Sequence, residues 1–125
     1  MIAYDQEQVP PAPMIQCKVT NPDTGKFKEE DGKIDSGAAD TIIPEEWLSD
    51  LSLMPLRSVT RHDYTGAAHP HVTCYVNFEL AGFEFQWFEV LAQAGRENVL
   101  IGRNILNQLN VLLYGKKLQF EVTDP

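Results

Sequence analysis

The central stretch of this sequence is Lys33-Ile34-Asp35-Ser36-Gly37-Ala38-Ala39-Asp40-Thr41-Ile42-Ile43-Pro44, an Asp-Ser-Gly turn between two apolar segments. An aspartate in this position lies at the edge of a core, where a carboxyl group is costly to bury and its proton affinity is easily shifted. Gly37 lets the backbone turn sharply beside the carboxylate, and Ser36 adds a hydroxyl that can tie the turn to a neighbour. Asp35 is therefore the first residue to consider for chemistry.

The length of the chain limits how such a residue can act. With 125 residues the chain forms one domain with a core, but it is too short for two independent lobes. A site that needs two similar lobes must therefore take the second from another copy. The formal charge is 10 minus 18, or -8, and no block of Lys or Arg occurs. We therefore expect neither nucleic acid nor a membrane surface as a partner.

The two cysteines and the N-terminus indicate the compartment. Cys17 and Cys74 have neither the CxxC spacing of a redox or zinc site nor the density of a disulfide scaffold, so we predict buried free thiols. The start of the chain lacks the basic and apolar regions of a signal peptide, and no run of about 18 apolar residues occurs. We expect a soluble, cytoplasmic protein.

Strand signals dominate the rest of the chain. Residues 1–14 contain Val9-Pro10-Pro11-Ala12-Pro13 and are predicted to form an extended arm, followed by one domain over residues 15–125. Apolar alternation and turn chemistry predict short strands at 15–20, 27–34, 41–43, 56–63, 71–80, 83–91, 99–102, 111–114 and 118–122. Short helices are predicted from Pro44 and over 103–110. This mainly β pattern is typical of a barrel or a sandwich.

The Asp-Ser/Thr-Gly tripeptide occurs a second time, as Asp23-Thr24-Gly25. This copy follows Pro22 and has no apolar walls, which is typical of a plain hairpin turn. Only 12 positions and a polar strand separate the two aspartates, so a pair within one chain is improbable. If two chains met on a twofold axis near Asp35, each would contribute one carboxyl group, and the pair would share a proton.

Two stretches closely resemble the signature regions of the retropepsins, the retroviral-type aspartic proteases. They are Ile34-Asp35-Ser36-Gly37-Ala38, continued by Asp40-Thr41-Ile42-Ile43-Pro44, and Val99-Leu100-Ile101-Gly102-Arg103-Asn104-Ile105-Leu106. The first resembles the active-site loop, and the second resembles the strand, glycine and helix that pack under that loop. The resemblance covers roughly residues 15 to 122. The hairpin between 63 and 71 is more similar to that of cellular and bacterial relatives than to the glycine-rich hairpin of the viral enzymes.

The resemblance implies a closed β-barrel with one or two short helices, equivalent to half of an acid protease. It implies a homodimeric endopeptidase that acts on peptides or proteins without cofactor or metal, with Asp35 of each subunit in the catalytic pair. Ser36, Gly37 and Ala38 would complete the active-site loop, with Ser36 linking the loops of the two subunits and Gly37 beside the bound peptide. The terminal segments would build the dimer sheet.

By the same resemblance, the hairpin around residues 63–71 would be a flap that closes over substrate. Its substrate-binding residues would be Asp63, Tyr64, Thr65 and Gly66, while Gly102 and Arg103 would support the active-site loop. The sequence also departs from the family. Gly32 and Lys33 replace apolar residues, and Ala39 stands where viral members often carry an acid. Arg103 would then pair with Asp40 or another acid, or serve differently.

Other interpretations remain beside this one. Asp35 can be a turn residue only, and Ser36 lacks the GxSxG context of a serine nucleophile. His69-Pro70-His71 offers two metal-ligand side chains but no further clustered ligand. The fold can also serve as a catalytically weak or inactive dimerisation or peptide-binding module. A further alternative is an unrelated β-sandwich binding domain.

Overall fold

The computed structural model describes residues 1–124, which form ten β-strands and two four-residue helices. In chain order the elements are β1 (Ile2–Ala3), β2 (Met14–Thr20), β3 (Phe27–Ile34), β4 (Ile42–Pro44), α1 (Trp47–Asp50), β5 (Arg57–His62), β6 (Ala68–Leu80), β7 (Phe83–Gln93), β8 (Val99–Ile101), α2 (Arg103–Leu106), β9 (Asn110–Tyr114), the 3-10 turn Gly115–Lys117 and β10 (Gln119–Thr123).

Six strands close a mixed barrel in the order β2, β3, β8, β4, β7, β6. The barrel closes because β6 also pairs with β2, from Cys17 opposite Leu80 to Thr20 opposite Asn77. The pairs β3–β8 and β4–β7 are parallel, and the others are antiparallel. The predicted barrel is confirmed, and the sandwich alternative is wrong.

Apolar side chains from β2, β4, β6, β7 and β8 fill the barrel interior. The strands alternate between inward apolar and outward polar residues, as β2 does through Ile15, Cys17 and Val19. Burial of each large apolar side chain stabilises the fold by about 1.5–3 kcal/mol. The fully buried core residues include Val19, Ile43, Val76, Phe78, Val90, Val99, Ile101, Ile105 and Phe120.

β3 is mostly exposed, as its polar sequence predicts, yet it is one of the six strands of the barrel. Its buried residue is Gly32, where an added Cβ would lie 2.6 Å from Cys17 Sγ and 2.8 Å from Ile101 Cδ1. These two side chains, from β2 and β8, occupy the space that a larger residue would need. The absence of an apolar side chain at position 32 is therefore part of the packing, while Lys33 points to solvent.

The β5–β6 hairpin adds β5 to the outer edge of β6. β6 begins at Ala68, three residues before the predicted start, and passes through Pro70. The sheet tolerates this proline because β6 pairs there with β5 alone, its pairing with β7 starting only at Val72. The other edge of β5 is unpaired within residues 1–124, and the strand carries two arginines and a histidine.

A separate sheet joins the two ends of the chain in the order β1, β10, β9. Ile2 lies opposite Phe120, and the ring of Tyr4 packs 5.9 Å from that of Phe120. Part of the N-terminal arm therefore lies on the C-terminal strand of the same chain. β9 pairs with β10 on one side, and its other edge is unpaired within residues 1–124.

The first helix is brief, as predicted, but begins later than predicted, and the second ends earlier than predicted. α1 begins at Trp47 because Pro44 still belongs to β4, and the Glu45 amide donates to the Gln93 carbonyl at 3.0 Å. α2 ends at Leu106, after which tighter turns such as that from Leu109 N to Leu106 O continue the chain. No helix within residues 1–124 is long and apolar enough to cross a membrane.

Cys17 and Cys74 are free and buried, as predicted. Burial, with a smaller effect from nearby carboxylates, raises the pKa of Cys17 to about 12 and that of Cys74 to about 11. Since the thiolate is the reactive form, we expect neither thiol to react with an aromatic disulfide reagent in the folded protein at about pH 8. Both should react after unfolding in urea, whereas rapid labelling of the native protein would contradict the buried positions.

The raised thiol pKa values also predict a pH dependence of stability. Protonated thiols favour the folded state, so this contribution is complete below the ordinary cysteine pKa of about 8.5. It is lost as the pH rises towards the folded-state values, because the unfolded chain then releases protons that the folded chain retains. Urea unfolding should accordingly give a lower midpoint at about pH 10 than at about pH 8, and this difference should shrink in a Cys17→Ala variant.

Candidate active site

Asp35 lies where β3 leaves the barrel. Its amide donates to the Ile101 carbonyl at 3.0 Å, which extends the β3–β8 pairing by one residue. The chain then turns, since Asp35 Oδ1 accepts from the Gly37 amide at 2.9 Å and the Ala38 amide donates to the Asp35 carbonyl at 3.2 Å. Oδ2 accepts no hydrogen bond from residues 1–124, so half of the carboxylate is free to face a ligand.

Residues at the start of α2 hold this turn through hydrogen bonds to its carbonyl groups. The Arg103 amide donates to the Ala38 carbonyl at 2.8 Å, and Arg103 Nη1 donates to the Ser36 carbonyl at 2.9 Å. The Asn104 amide donates to the Ala39 carbonyl at 3.3 Å. The loop after Asp35 is thus held by a segment distant in the sequence, as the 67-residue separation of Ser36 and Arg103 shows.

Thr41 and Gly102 hold the far end of the loop. The buried Thr41 hydroxyl donates to Asn104 Oδ1 at 2.7 Å and accepts from the Gly102 amide at 3.2 Å. At Gly102 the loop backbone comes so close that an added Cβ would overlap the carbonyl group of Asp40. Glycine is required here by space rather than by backbone conformation, since Gly102 has an extended φ of -94°.

An ion pair ties the hairpin to the loop. Arg61 of β5 donates to Asp40 through Nε at 2.7 Å and Nη2 at 3.3 Å, and this carboxylate raises the pKa of the guanidinium. Asp40 is therefore engaged by Arg61, while Arg103 donates to a carbonyl and not to an acid. A second bidentate pair joins Arg57 of β5 to Glu89 of β7, at 2.7 and 2.9 Å.

The hairpin tip is organised by Asp63. Its Oδ1 accepts from the Thr65 hydroxyl at 2.5 Å, the Thr65 amide at 2.9 Å and the Ala67 amide at 3.1 Å, and its Oδ2 lies 2.8 Å from His69 Nε2. These hydrogen bonds hold the pKa of Asp63 well below its usual range, with the largest effect from the Thr65 hydroxyl and the next largest from His69. Gly66 turns the chain with a φ of 88°, and Tyr64 is 100% exposed. The tip is therefore ordered at its base and presents an aromatic side chain to solvent.

A cavity of about 600 Å³ lies between this hairpin and the end of β7. Asp63, His69 and His71 line it on one side, and Ala92–Ala94 line it on the other. His69 is already engaged by Asp63, and no group of three metal-ligating side chains occurs among residues 1–124.

The structure thus separates the predicted site residues into two groups. One cluster contains the loop residues and their supports, namely Asp35, Ser36, Gly37, Ala38, Gly102 and Arg103. The hairpin residues Asp63, Tyr64, Thr65 and Gly66 form the other. The Asp40–Arg61 bridge between the groups was missed by the sequence analysis, although the arginines four positions apart in β5 hinted at a polar face of that strand.

No protein-family model matches the chain, and no curated protein matches it either. Solved structures do resemble it. A retropepsin-like aspartic protease from Rickettsia conorii is 16% identical over 99% of this chain and 90% of its own, with a TM-score of 0.65. The EIAV protease is 16% identical over 85% of this chain and 92% of its own, with a TM-score of 0.59. The simian foamy virus protease is 22% identical over 74% of this chain and 89% of its own, with a TM-score of 0.53. The chain therefore has the retropepsin-like fold that its two signature stretches predict.

Proposed function

We propose that this protein is an aspartic endopeptidase that acts as a homodimer, with Asp35 of each subunit forming the catalytic pair. The observation that carries the proposal is the Asp35 turn. One carboxylate oxygen is fixed by the Gly37 amide, and the other accepts no hydrogen bond from the described residues 1–124. The likeness to solved retropepsin-like structures supports the same function.

A single Asp35 supplies only half of the chemistry. Two carboxyl groups about 3 Å apart cannot both ionise, so they share one proton. The ionised member takes a proton from water as the water oxygen attacks the peptide carbonyl carbon, and the protonated member donates its proton to the carbonyl oxygen. The resulting diol collapses as the C–N bond breaks and the leaving nitrogen takes the proton of the protonated member. The other member takes the proton of one diol hydroxyl as that oxygen forms the new carbonyl, which restores the single shared proton. The atoms balance with water as the only co-substrate.

The unpaired edge of β9 supports the dimer. Its strand carries Leu112 and Leu113, which are 49% and 52% exposed. An apolar edge strand is a template for pairing with another chain, and two such edges can meet on a twofold axis. The proposed catalytic pair requires in addition that the two Asp35 loops face each other across the same axis. The β5–β6 hairpin of each subunit would then serve as the flap that covers the peptide.

The proposed activity can be tested directly with a mixed peptide library. We expect the purified protein to cleave internal peptide bonds between about pH 4 and about pH 7. The cleavage products are identified by mass spectrometry. Peptide binding without cleavage would favour the inactive module instead. Failure to cleave or bind any peptide would contradict the proposal.

The dimer requirement makes a separate prediction. Because each chain supplies half a site, specific activity should fall on dilution through the range in which the dimer dissociates. A Leu112→Lys/Leu113→Lys variant, which places like charges from both subunits at the shared edge, should be monomeric by sedimentation and inactive. Met54→Lys is the matched control, since Met54 is also exposed, at 79%, but lies far from β9 in the chain. Full activity in the double variant would exclude this edge as the dimer contact.

A further inference from the structure

Arg96 lies in the loop between β7 and β8. The preceding residues Ala92–Ala94 line the cavity under the hairpin, and Gly95 then turns the chain with a φ of 79°. The Arg96 side chain is half-buried. Its Nε donates to the Asn98 carbonyl at 3.1 Å, and its Nη2 lies 3.4 Å from Asn98 Oδ1. Asn98 thus holds the guanidinium in a fixed orientation.

The surroundings of Arg96 differ from those of the two arginines of β5. Arg57 and Arg61 each form a bidentate pair with a carboxylate. Arg96 has only the neutral groups of Asn98 as hydrogen-bond partners within residues 1–124, and no carboxylate lies within 4.0 Å of it there. It is a cation partly removed from water without a counterion, an arrangement that costs free energy until an anion arrives.

Arg96 lies three residues before β8, the strand that pairs with β3 from Val99 opposite Gly32 to Ile101, whose carbonyl accepts from the Asp35 amide. Burial lowers the pKa of Arg96, and the charge of Asp35 acts in the opposite direction. Asp35 is thus the carboxylate whose field reaches the guanidinium, although the two do not form an ion pair. The guanidinium donors that Asn98 leaves unused remain available to a ligand bound against Asp35.

We propose that Arg96 is a specificity-determining residue that favours substrates with Glu or Asp beside the scissile bond. The inference rests on the proposed endopeptidase function, because a bond cut at Asp35 brings its flanking side chains close to the loop that carries Arg96. A substrate carboxylate there accepts charge-assisted hydrogen bonds from a guanidinium that is already oriented and partly desolvated. A substrate lysine meets a like charge instead.

The test uses peptides that differ only at the residues flanking the cleaved bond, which carry Glu, Gln or Lys. For the unmodified protein we expect kcat/KM to be at least about tenfold higher for the Glu peptide than for the Lys peptide. Arg96→Gln should remove most of this preference, and Arg96→Glu should reverse it by making the Lys peptide the better substrate. Arg96→Lys should retain part of it, because the charge remains without the planar fork. Lys26→Gln, which removes a cation from the exposed β2–β3 turn, is the control and should leave the preference unchanged.

A binding measurement separates failure of this inference from failure of the proposed function. The same peptides are titrated against the Asp35→Asn protein, alone and combined with Arg96→Gln or Arg96→Glu, so that no cleavage interferes. The role of Arg96 is overturned if Glu and Lys peptides are cleaved at equal rates, or if Arg96→Glu does not reverse the preference. Either result still supports the proposed endopeptidase function, because peptides are cleaved. If no peptide is cleaved, tighter binding of the Glu peptide that is lost on adding Arg96→Gln still supports the role. Equal binding, including no detectable binding of either peptide, overturns it.

Discussion

Replacing Asp35 by Asn is expected to abolish peptide hydrolysis, with a loss of at least about a thousandfold in kcat/KM. The substitution keeps the oxygen that accepts from the Gly37 amide, so the turn can retain its 2.9 Å hydrogen bond. It removes both the carboxylate that takes the proton from water and the acid that donates to the carbonyl oxygen. The measurement is the initial rate of cleavage of a library-derived peptide, with peptide binding followed in parallel.

The chain provides its own control in Asp23, the aspartate of the second Asp-Ser/Thr-Gly tripeptide. The structure places it in the exposed turn between β2 and β3, where its amide donates to Asn21 Oδ1 at 2.8 Å. Asp23→Asn makes the same chemical change at a turn of similar composition and should leave activity unchanged. Equal losses in both variants, or activity in Asp35→Asn above about a tenth of the original, would contradict the assignment of Asp35 as the catalytic acid.

Gly102→Ala is expected to produce the largest loss of stability. An added methyl group would overlap the carbonyl of Asp40 and lie 3.0 Å from the Asp40 amide nitrogen, so the colliding atoms are backbone and cannot rotate away. Overpacking typically costs about 1–3 kcal/mol, and a clash with a fixed backbone belongs at the upper end. At roughly 3–4 °C per kcal/mol for a chain of this size, the midpoint of thermal unfolding should fall by about 10 °C.

Activity should fall with stability in this variant, because the displaced loop is the one that carries Asp35. Gly115→Ala is the matched control. A Cβ at Gly115 meets no atom within 4 Å, and Gly115 does not have a positive φ. Its unfolding midpoint should change by no more than about 2 °C. Similar midpoints for the two variants would show that the loop moves away from α2 without cost.

Local patterns in the sequence predicted the elements best where neighbouring residues determine them. Residues 27–34 form the predicted strand with the same limits, and the alternation in β2 points inward as expected. The Asp-Ser-Gly turn follows from its own side chains, since Asp35 and Gly37 bond within two residues. The pattern of short strands left both a barrel and a sandwich open, and the closed barrel was implied by the resemblance of 34–44 and 99–106 to the retropepsin signature regions.

Contacts between distant segments could not be read from the sequence in the same way. The pairing of Asp40 with Arg61 spans 21 residues and depends on the register of β5 against β6, which places Arg61 opposite His69. The space at Gly32 depends on Cys17 and Ile101, which come from two other strands.

Two strand edges that are unpaired within residues 1–124 differ in chemistry. The two arginines of β5 each form an ion pair with a carboxylate of the same chain, whereas β9 carries two leucines that are about half-exposed. A protein with two self-complementary edges can grow end to end into fibres, but one with a single such edge stops growing once that edge is covered. If β9 is the contact edge of the proposed dimer, assembly would end at a closed pair.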